Sequence, residues 1–270
     1  MKKIIFLFIS LSTTLFGQGP VDGYMKNKQD FSVGLSISKE QAGKLYTGTE
    51  SISASRTTMA YSLFGIYGIY DRLNVQVNIP YLDVNKGTVQ DFQDFSLYLK
   101  FQAFKKDNKK GNFNLLLASG VSHPMVDYVT TGGSAIGQQA TTIDGRIIGQ
   151  QNFNNKFFAS IQAGYFLKTD PTPHSFSSSL KIGYASKIYA DVWFEFLEAF
   201  GGTDYRGIGD KEPTAERGGF RGLGFSYKKI GGTVFYPFTK HFGAFGGLSY
   251  VLSGRNAFKN TGINIGIVFQ

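Results

Sequence analysis

The 270-residue sequence contains no cysteine and only one long apolar run. Without cysteine there can be no disulfide bond, no thiolate metal site, no cysteine nucleophile and no lipid-modified amino-terminal cysteine. The apolar run, residues 4–16, is shorter than the ~20 residues that a helix needs to cross a bilayer. Any insertion of this chain into a membrane must therefore be made by β-strands.

Residues 1–17 have the organisation of a signal peptide. Lys2 and Lys3 precede the apolar residues 4–16, and Gly17 supplies a small residue where cleavage is expected. The sequence therefore predicts an exported protein whose mature chain begins near residue 18.

Alternation of apolar and polar residues is the dominant pattern in the rest of the chain. Residues 73–81 read Leu-Asn-Val-Gln-Val-Asn-Ile-Pro-Tyr, as in a β-strand whose two faces meet different environments. Six further segments show this pattern clearly: residues 94–103, 112–120, 157–167, 176–184, 188–196 and 263–269. Five less regular ones complete a set of twelve strands: residues 30–38, 57–69, 144–152, a segment that ends near 238, and 242–253.

The connections between these strands are of two alternating kinds. Five are short polar turns, and six are longer segments: residues 39–56, 83–93, 123–143, 168–173, 201–219 and 254–260. An even number of strands with short turns on one side is typical of outer-membrane barrels, in which closure satisfies the backbone in lipid. We therefore predict an all-β fold, a transmembrane antiparallel up-and-down barrel of about 12 strands, with short periplasmic turns and longer extracellular loops. Residues 18–29 would form a short periplasmic lead-in, and residues 30–270 a single barrel in the outer membrane of a Gram-negative bacterium.

The same alternation selects side chains that would face the lumen. These candidates are Lys100, Lys181, Asp191, Glu195, Trp193, Asp94 and Arg146. An isolated charge inside a barrel must either pair or meet water, so we expect Lys100 and Lys181 to lie opposite Asp191 and Glu195. Two interpretations stay open: an ion-pair network that plugs the lumen, or a polar constriction that filters solutes.

Three stretches carry a family resemblance. They are Val-Asn-Ile-Pro-Tyr (77–81) with Gly87 in the following loop, Gln-Asp-Phe-Ser-Leu-Tyr-Leu-Lys (93–100), and Gly-Arg-Asn (254–256). Together they resemble a family of small outer-membrane barrels assigned to transport and akin to the phenol-degradation meta-pathway barrel proteins. The resemblance implies passage of small, often hydrophobic compounds.

The closing strand is similar to the assembly signal of outer-membrane proteins. Asn264, Gly266 and Phe269 match its polar, glycine and aromatic positions, whereas Gln270 replaces the usual final aromatic residue. This similarity implies recognition by the barrel-assembly machinery.

The sequence shows no enzyme motif. His123, His174 and His241 lie near strand ends, and neither His123 nor His174 has a neighbouring serine on the same strand face, as a nucleophile and base would require. We therefore predict a channel or transporter for small molecules that is not an enzyme and has no metal or cofactor. The alternatives are a surface-displaying barrel with a plugged lumen and, less favoured, a barrel-embedded lipid or peptide hydrolase.

The excess of basic residues limits the partners. Removal of Lys2 and Lys3 with the predicted signal peptide lowers the formal net charge from +9 to +7, which suits an acidic lipid surface but is modest for a nucleic-acid-binding protein. We therefore expect outer-membrane lipid and lipopolysaccharide as partners, and no nucleic acid.

Overall fold

A computed structural model describes residues 21–48, 50–109, 111–154, 156–205 and 219–270. The predicted signal peptide lies outside these residues. Within them, no helix is long and apolar enough to cross a membrane. The strands are β1 (Phe31–Thr47), β2 (Glu50–Tyr70), β3 (Leu73–Val84), β4 (Val89–Phe92), β5 (Asp94–Asn108), β6 (Gly111–Pro124), β7 (Thr142–Phe153), β8 (Phe157–Lys168), β9 (Ser175–Ala185), β10 (Tyr189–Ala199), β11 (Ser226–Pro237), β12 (Phe242–Arg255) and β13 (Phe258–Phe269).

Twelve of these strands close into one antiparallel barrel. Each pairs with its neighbour in chain order, and β1 completes the circle by pairing with both β2 and β13. The extra strand, β4, continues β5 with a one-residue shift, because Tyr81 of β3 pairs with Phe92 whereas Asn78 pairs with Ser96. The predicted twelve-stranded barrel is confirmed, with one additional short strand.

The barrel is apolar outside and polar inside. On β3, Asn74 and Gln76 point inward and are almost fully buried, while Val77 points outward and is exposed. On β8, Ile161 is 62% exposed and its neighbour Gln162 only 2%. Such an exterior is stable only in contact with lipid, because hydrophobic area of this extent would otherwise lie in water.

Exposed aromatic rings mark the two edges of the lipid-facing belt. At the short-turn end they are Phe31, Tyr67, Tyr70, Phe104, Phe153, Phe157, Tyr184, Tyr236, Phe238, Phe242 and Phe269. At the long-loop end they are Tyr61, Phe92, Tyr165, Phe200 and Tyr250. Two aromatic girdles flanking an apolar band place the barrel across a membrane.

Two of the predicted long loops are instead strand. Residues 39–56 form the upper parts of β1 and β2, which are separated by only two residues, and residues 254–260 mostly belong to β12 and β13. Beyond the lipid both faces of a hairpin meet polar surroundings, so the alternation that reveals a strand fades although the backbone pairing continues. The segment 83–93 likewise contains β4.

Large inward-facing rings lie flat against glycines of neighbouring strands. A Cβ atom added at Gly243 would lie 2.2 Å from the Phe235 ring, and one at Gly231 would lie 2.1 Å from the Trp193 ring. Other ring–glycine pairs are Phe64 with Gly34, Tyr98 with Gly120, Phe158 with Gly183 and Phe245 with Gly266. The rings thus cover the wall rather than project across the lumen.

Candidate functional site in the barrel lumen

Residues 21–28, which we call the N-terminal segment, lie at the short-turn end of the barrel, with residues 21–26 in the lumen and residues 27 and 28 exposed at its rim. Val21, Asp22, Tyr24 and Lys26 are all buried. Their location differs from the periplasmic lead-in that the sequence suggested for residues 18–29. The chain enters the lumen at Gln29, which has a φ of 69° and donates its N–H to the carbonyl of Gly68 at 2.7 Å.

Lys100 anchors the N-terminal segment. Its ammonium group is completely buried and lies 2.7 Å from Oδ1 of Asp22 and 3.2 Å from the Asp22 carbonyl oxygen. The same ammonium also donates to the carbonyl oxygen of Tyr24. A buried cation in an apolar environment is costly unless it is paired and hydrogen-bonded, and here the segment supplies all of these partners.

Further contacts hold the segment along its length. The Asn74 side chain accepts from the N–H of Lys26 at 2.8 Å and donates to its carbonyl oxygen at 3.0 Å. Gln162 donates to the carbonyl oxygen of Val21 at 3.2 Å. Tyr24 packs edge-on against Phe158, with 5.6 Å between the ring centroids. These partners come from β3, β5 and β8. The Tyr24 ring also lies 6.4 Å from the Tyr189 ring of β10 and shares a buried cluster with Phe64 and Phe235, so the segment reaches across the lumen.

The remaining charged lumen candidates form separate ion pairs or hydrogen bonds to tyrosine hydroxyls. Lys181 lies 3.6 Å from Asp191, as we expected for that pair. Arg146 instead bonds to Asp144 on its own strand at 2.9 Å, and Lys100 pairs with Asp22. Glu195 accepts from the Tyr227 hydroxyl at 3.1 Å. The interior charges are thus largely compensated in pairs.

A narrow cavity lies among residues of β1, β10, β11, β12 and β13. It measures about 10 Å³, enough for roughly one water molecule. Its lining includes Ser38, Trp193, Thr233, Ser249 and Asn264. Below it, three more buried serine hydroxyls, those of Ser32, Ser36 and Ser62, form no hydrogen bond with a described residue.

The β6–β7 loop, residues 125–141, folds over the outer mouth. Tyr128 of this loop is buried and donates to Oδ1 of Asp94 at 2.6 Å. Burial raises the pKa of the Tyr128 hydroxyl above its ordinary value, and the Asp94 carboxylate raises it further, so the hydroxyl stays protonated and can donate. Arg56 holds the same loop by donating to the carbonyl oxygens of Gly133 at 3.2 Å and Ala135 at 2.8 Å.

The described parts of the β10–β11 loop, residues 200–205 and 219–225, meet the β6–β7 loop across the mouth. Gln138 donates to the carbonyl oxygen of Leu223 at 2.9 Å, and Arg221 donates back to the carbonyl oxygen of Gln138 at 3.1 Å. Arg255 at the end of β12 and Asn256 directly after it bind the β10–β11 loop, through the carbonyl oxygens of Gly201 and Gly224, each at 2.8 Å. The Gly-Arg-Asn stretch of the sequence therefore has a structural role at the mouth.

The three residues of the expected assembly signal have different surroundings in the fold. Asn264 lines the cavity, Gly266 lies under the Phe245 ring, and Phe269 is exposed in the short-turn girdle, 5.0 Å from the Phe242 ring centroid. The positions are those of an ordinary closing strand, and their recognition during assembly stays a prediction.

Sequence reasoning missed Asp22, Arg56 and Tyr128. Asp22 lies in a short segment with the composition of a linker, and Arg56 and Tyr128 lie in stretches taken as solvated loops. One signal for Asp22 was that neither strand beside Lys100, β3 or β6, carries an acidic residue at an inward position.

The closed barrel, its apolar exterior and its two aromatic girdles define an outer-membrane β-barrel protein. The chain belongs to the family described as "Putative MetA-pathway of phenol degradation", whose model matches residues 22–267. This confirms the family resemblance read from the sequence. No curated protein is significantly similar to the chain in sequence.

Solved structures show the same fold at low sequence identity. An outer membrane channel from Pseudomonas putida F1 is 13% identical, with a TM-score of 0.70 over 92% of this chain and 97% of that one. The NanC porin is 10% identical, with a TM-score of 0.54 over 87% and 99%. The translocator domain of the autotransporter NalP from Neisseria meningitidis is 9% identical, with a TM-score of 0.52 over 90% and 89%. Because proteins of different function share this architecture, the likeness defines the fold alone.

Proposed function

We propose that the protein is a channel that passes small molecules across the outer membrane, and that the N-terminal segment closes it from the periplasmic side. Family membership and the fold shared with the Pseudomonas putida channel support the class of function. One observation carries the proposal: the segment occupies the short-turn end of the lumen but belongs to no strand of the wall. It can therefore leave the lumen without breaking the backbone pairing that closes the barrel.

The lining of the lumen favours solutes that form hydrogen bonds. Buried hydroxyl groups require partners, and the serine hydroxyls below the cavity could form hydrogen bonds with a solute in the lumen. The lining also includes the broad ring of Trp193. Small amphipathic molecules, such as the aromatic alcohol named in the family description, combine a hydroxyl with an apolar body and would suit both features.

The proposed path runs along the barrel axis. All neighbouring strands of the barrel are hydrogen-bonded to one another, including β1 with β13. A sideways exit into the lipid would require breaking such a ladder, whereas withdrawal of the segment requires only the loss of side-chain contacts.

Electrical recording and solute uptake test this proposal together. The mature protein, residues 18–270, and a variant that begins at Asp30 would be reconstituted in planar bilayers and in liposomes. We expect the shortened barrel to conduct more current and to admit small phenols and sugars faster. Heat-modifiable mobility on gels shows that both forms are folded. No current and no uptake by either form would contradict a channel function.

The arginine-bound loops at the outer mouth favour a second candidate, a structural barrel that displays its loops. This candidate predicts that the shortened barrel carries no current and admits no solute even when Arg56 is also replaced by glutamine. A catalytic role has less support, since His123 contacts the Thr141 hydroxyl at 2.7 Å and His174 accepts from the N–H of Lys168 at 3.1 Å. Neither contact joins a base to a serine.

A further inference from the structure

Four lysines point outward at the long-loop end of the barrel. Lys39 and Lys44 lie on β1, Lys228 on β11 and Lys259 on β13. Lys39, Lys44 and Lys228 are exposed, and none of the four forms an ion pair with a described residue. We call these four residues the lysine patch.

The lysine patch is held together by strand pairing. Lys44 and Lys259 are direct cross-strand partners in the β1–β13 ladder. Lys39 pairs with Ile263 further down the same ladder, and Lys228 lies two strands away, opposite Ser253 of β12. Like charges directly opposite each other destabilise a sheet, so this arrangement favours an anion between or above the two ammonium groups.

The level of the patch relative to the membrane identifies that anion. The ammonium of Lys259 lies 5.8 Å from the ring centroid of Tyr250, an exposed member of the outer girdle. Girdle aromatics lie at the height of lipid headgroups. The patch is also confined to one side, since outward positions at this end of β7 and β8 carry the apolar Ile143 and Leu167.

We propose that the lysine patch binds the phosphate groups of the glycolipid in the outer leaflet, and so holds one such lipid against β11–β1. Its cations would pair with phosphate while the apolar rows below them, such as Ile263 and Ile265, contact the acyl chains. The inference depends on the barrel being in the membrane and not on its being a channel.

Native mass spectrometry of the mature protein in detergent tests this with purified diphosphoryl lipid A. Each cation near an anionic surface contributes about fivefold in affinity. We therefore expect the double variant Lys44→Gln, Lys259→Gln to bind roughly 10- to 30-fold more weakly. The matched control Lys156→Gln, Lys187→Gln removes two exposed cations from the short turns and should bind like the native protein.

Two further measurements separate phosphate recognition from simple acyl-chain binding. Dephosphorylated lipid A should bind native protein as weakly as diphosphoryl lipid A binds the double variant. Inorganic phosphate at equal concentration should not displace the bound lipid. Equal binding of the two lipids, or undiminished binding by a double variant with native heat-modifiable mobility, would overturn the proposal.

Discussion

Replacing Asp22 with asparagine should release the N-terminal segment from the lumen. The Asp22 carboxylate lies 2.7 Å from the buried ammonium of Lys100. Asparagine keeps the size and one acceptor oxygen but removes the charge. In the docked state Lys100 then lacks a counter-ion, whereas in the undocked state water can reach its ammonium group.

The size of this effect follows from the loss of one charge-assisted hydrogen bond. Such a bond contributes about 1.5–3 kcal/mol. The ratio of undocked to docked segment should therefore rise roughly 10- to 150-fold. The full cost of breaking a buried pair, about 3–5 kcal/mol, does not apply, because undocking itself relieves the unpaired charge.

Because the sequence contains no cysteine, a single introduced thiol can be labelled without background from other residues. A single Val21→Cys substitution places a thiol at a position that is only 2% exposed while the segment is docked. Alkylation by a bulky water-soluble maleimide then reports the undocked fraction. We expect the alkylation rate to rise by the factor given above when Asp22→Asn is added.

Asp107→Asn is the matched control. It also removes one carboxylate from a lysine pair, 3.6 Å from Lys105, but at the surface, where such pairs contribute little. Equal alkylation rates in the Asp22 and Asp107 variants would show that the buried pair does not hold the segment.

Three other changes test the wall and the mouth. Gly231→Ala should destabilise the barrel by about 1–3 kcal/mol in urea unfolding from vesicles, because its Cβ would lie 2.1 Å from the Trp193 ring. The control Gly246→Ala, whose Cβ would have its nearest atoms at 3.7 Å, should leave the stability nearly unchanged. Equal effects of the two substitutions would argue against the ring–glycine packing. Arg56→Gln should expose residues 125–141 to protease in intact vesicles, while Arg72→Gln on an exposed turn should not. Ile161→Lys, on the lipid face, should lower the free energy of unfolding by about 2–4 kcal/mol, and a stability unchanged from that of the native protein would contradict the assigned lipid face.

The positions of the regular strands, and the direction in which their side chains point, could be predicted from the sequence with few errors. Residues 73–81 and 263–269 alternate strictly, and both have the predicted orientation in the barrel. This worked because lipid outside and polar groups inside impose opposite demands on successive side chains. Where lipid is absent, as around residues 39–56, that demand disappears and the prediction of a loop was wrong.

The partners of the lumen charges could not be predicted in the same way. Parity places Lys100 inside, but its partner Asp22 is 78 residues away in the chain and belongs to no strand. Nothing in the local pattern of residues 21–28 distinguishes a segment folded into the barrel from a linker in the periplasm.

The sequence by itself thus determined a membrane barrel, its strand number and the direction in which each regular strand faces, since these depend on a two-residue period and on the need to pair every backbone group in lipid. Only the tertiary structure decided what occupies the lumen, which loops meet over the mouth and which charges pair. Those features depend on contacts between residues that are distant in the chain, and such contacts produce no repeating pattern in the sequence.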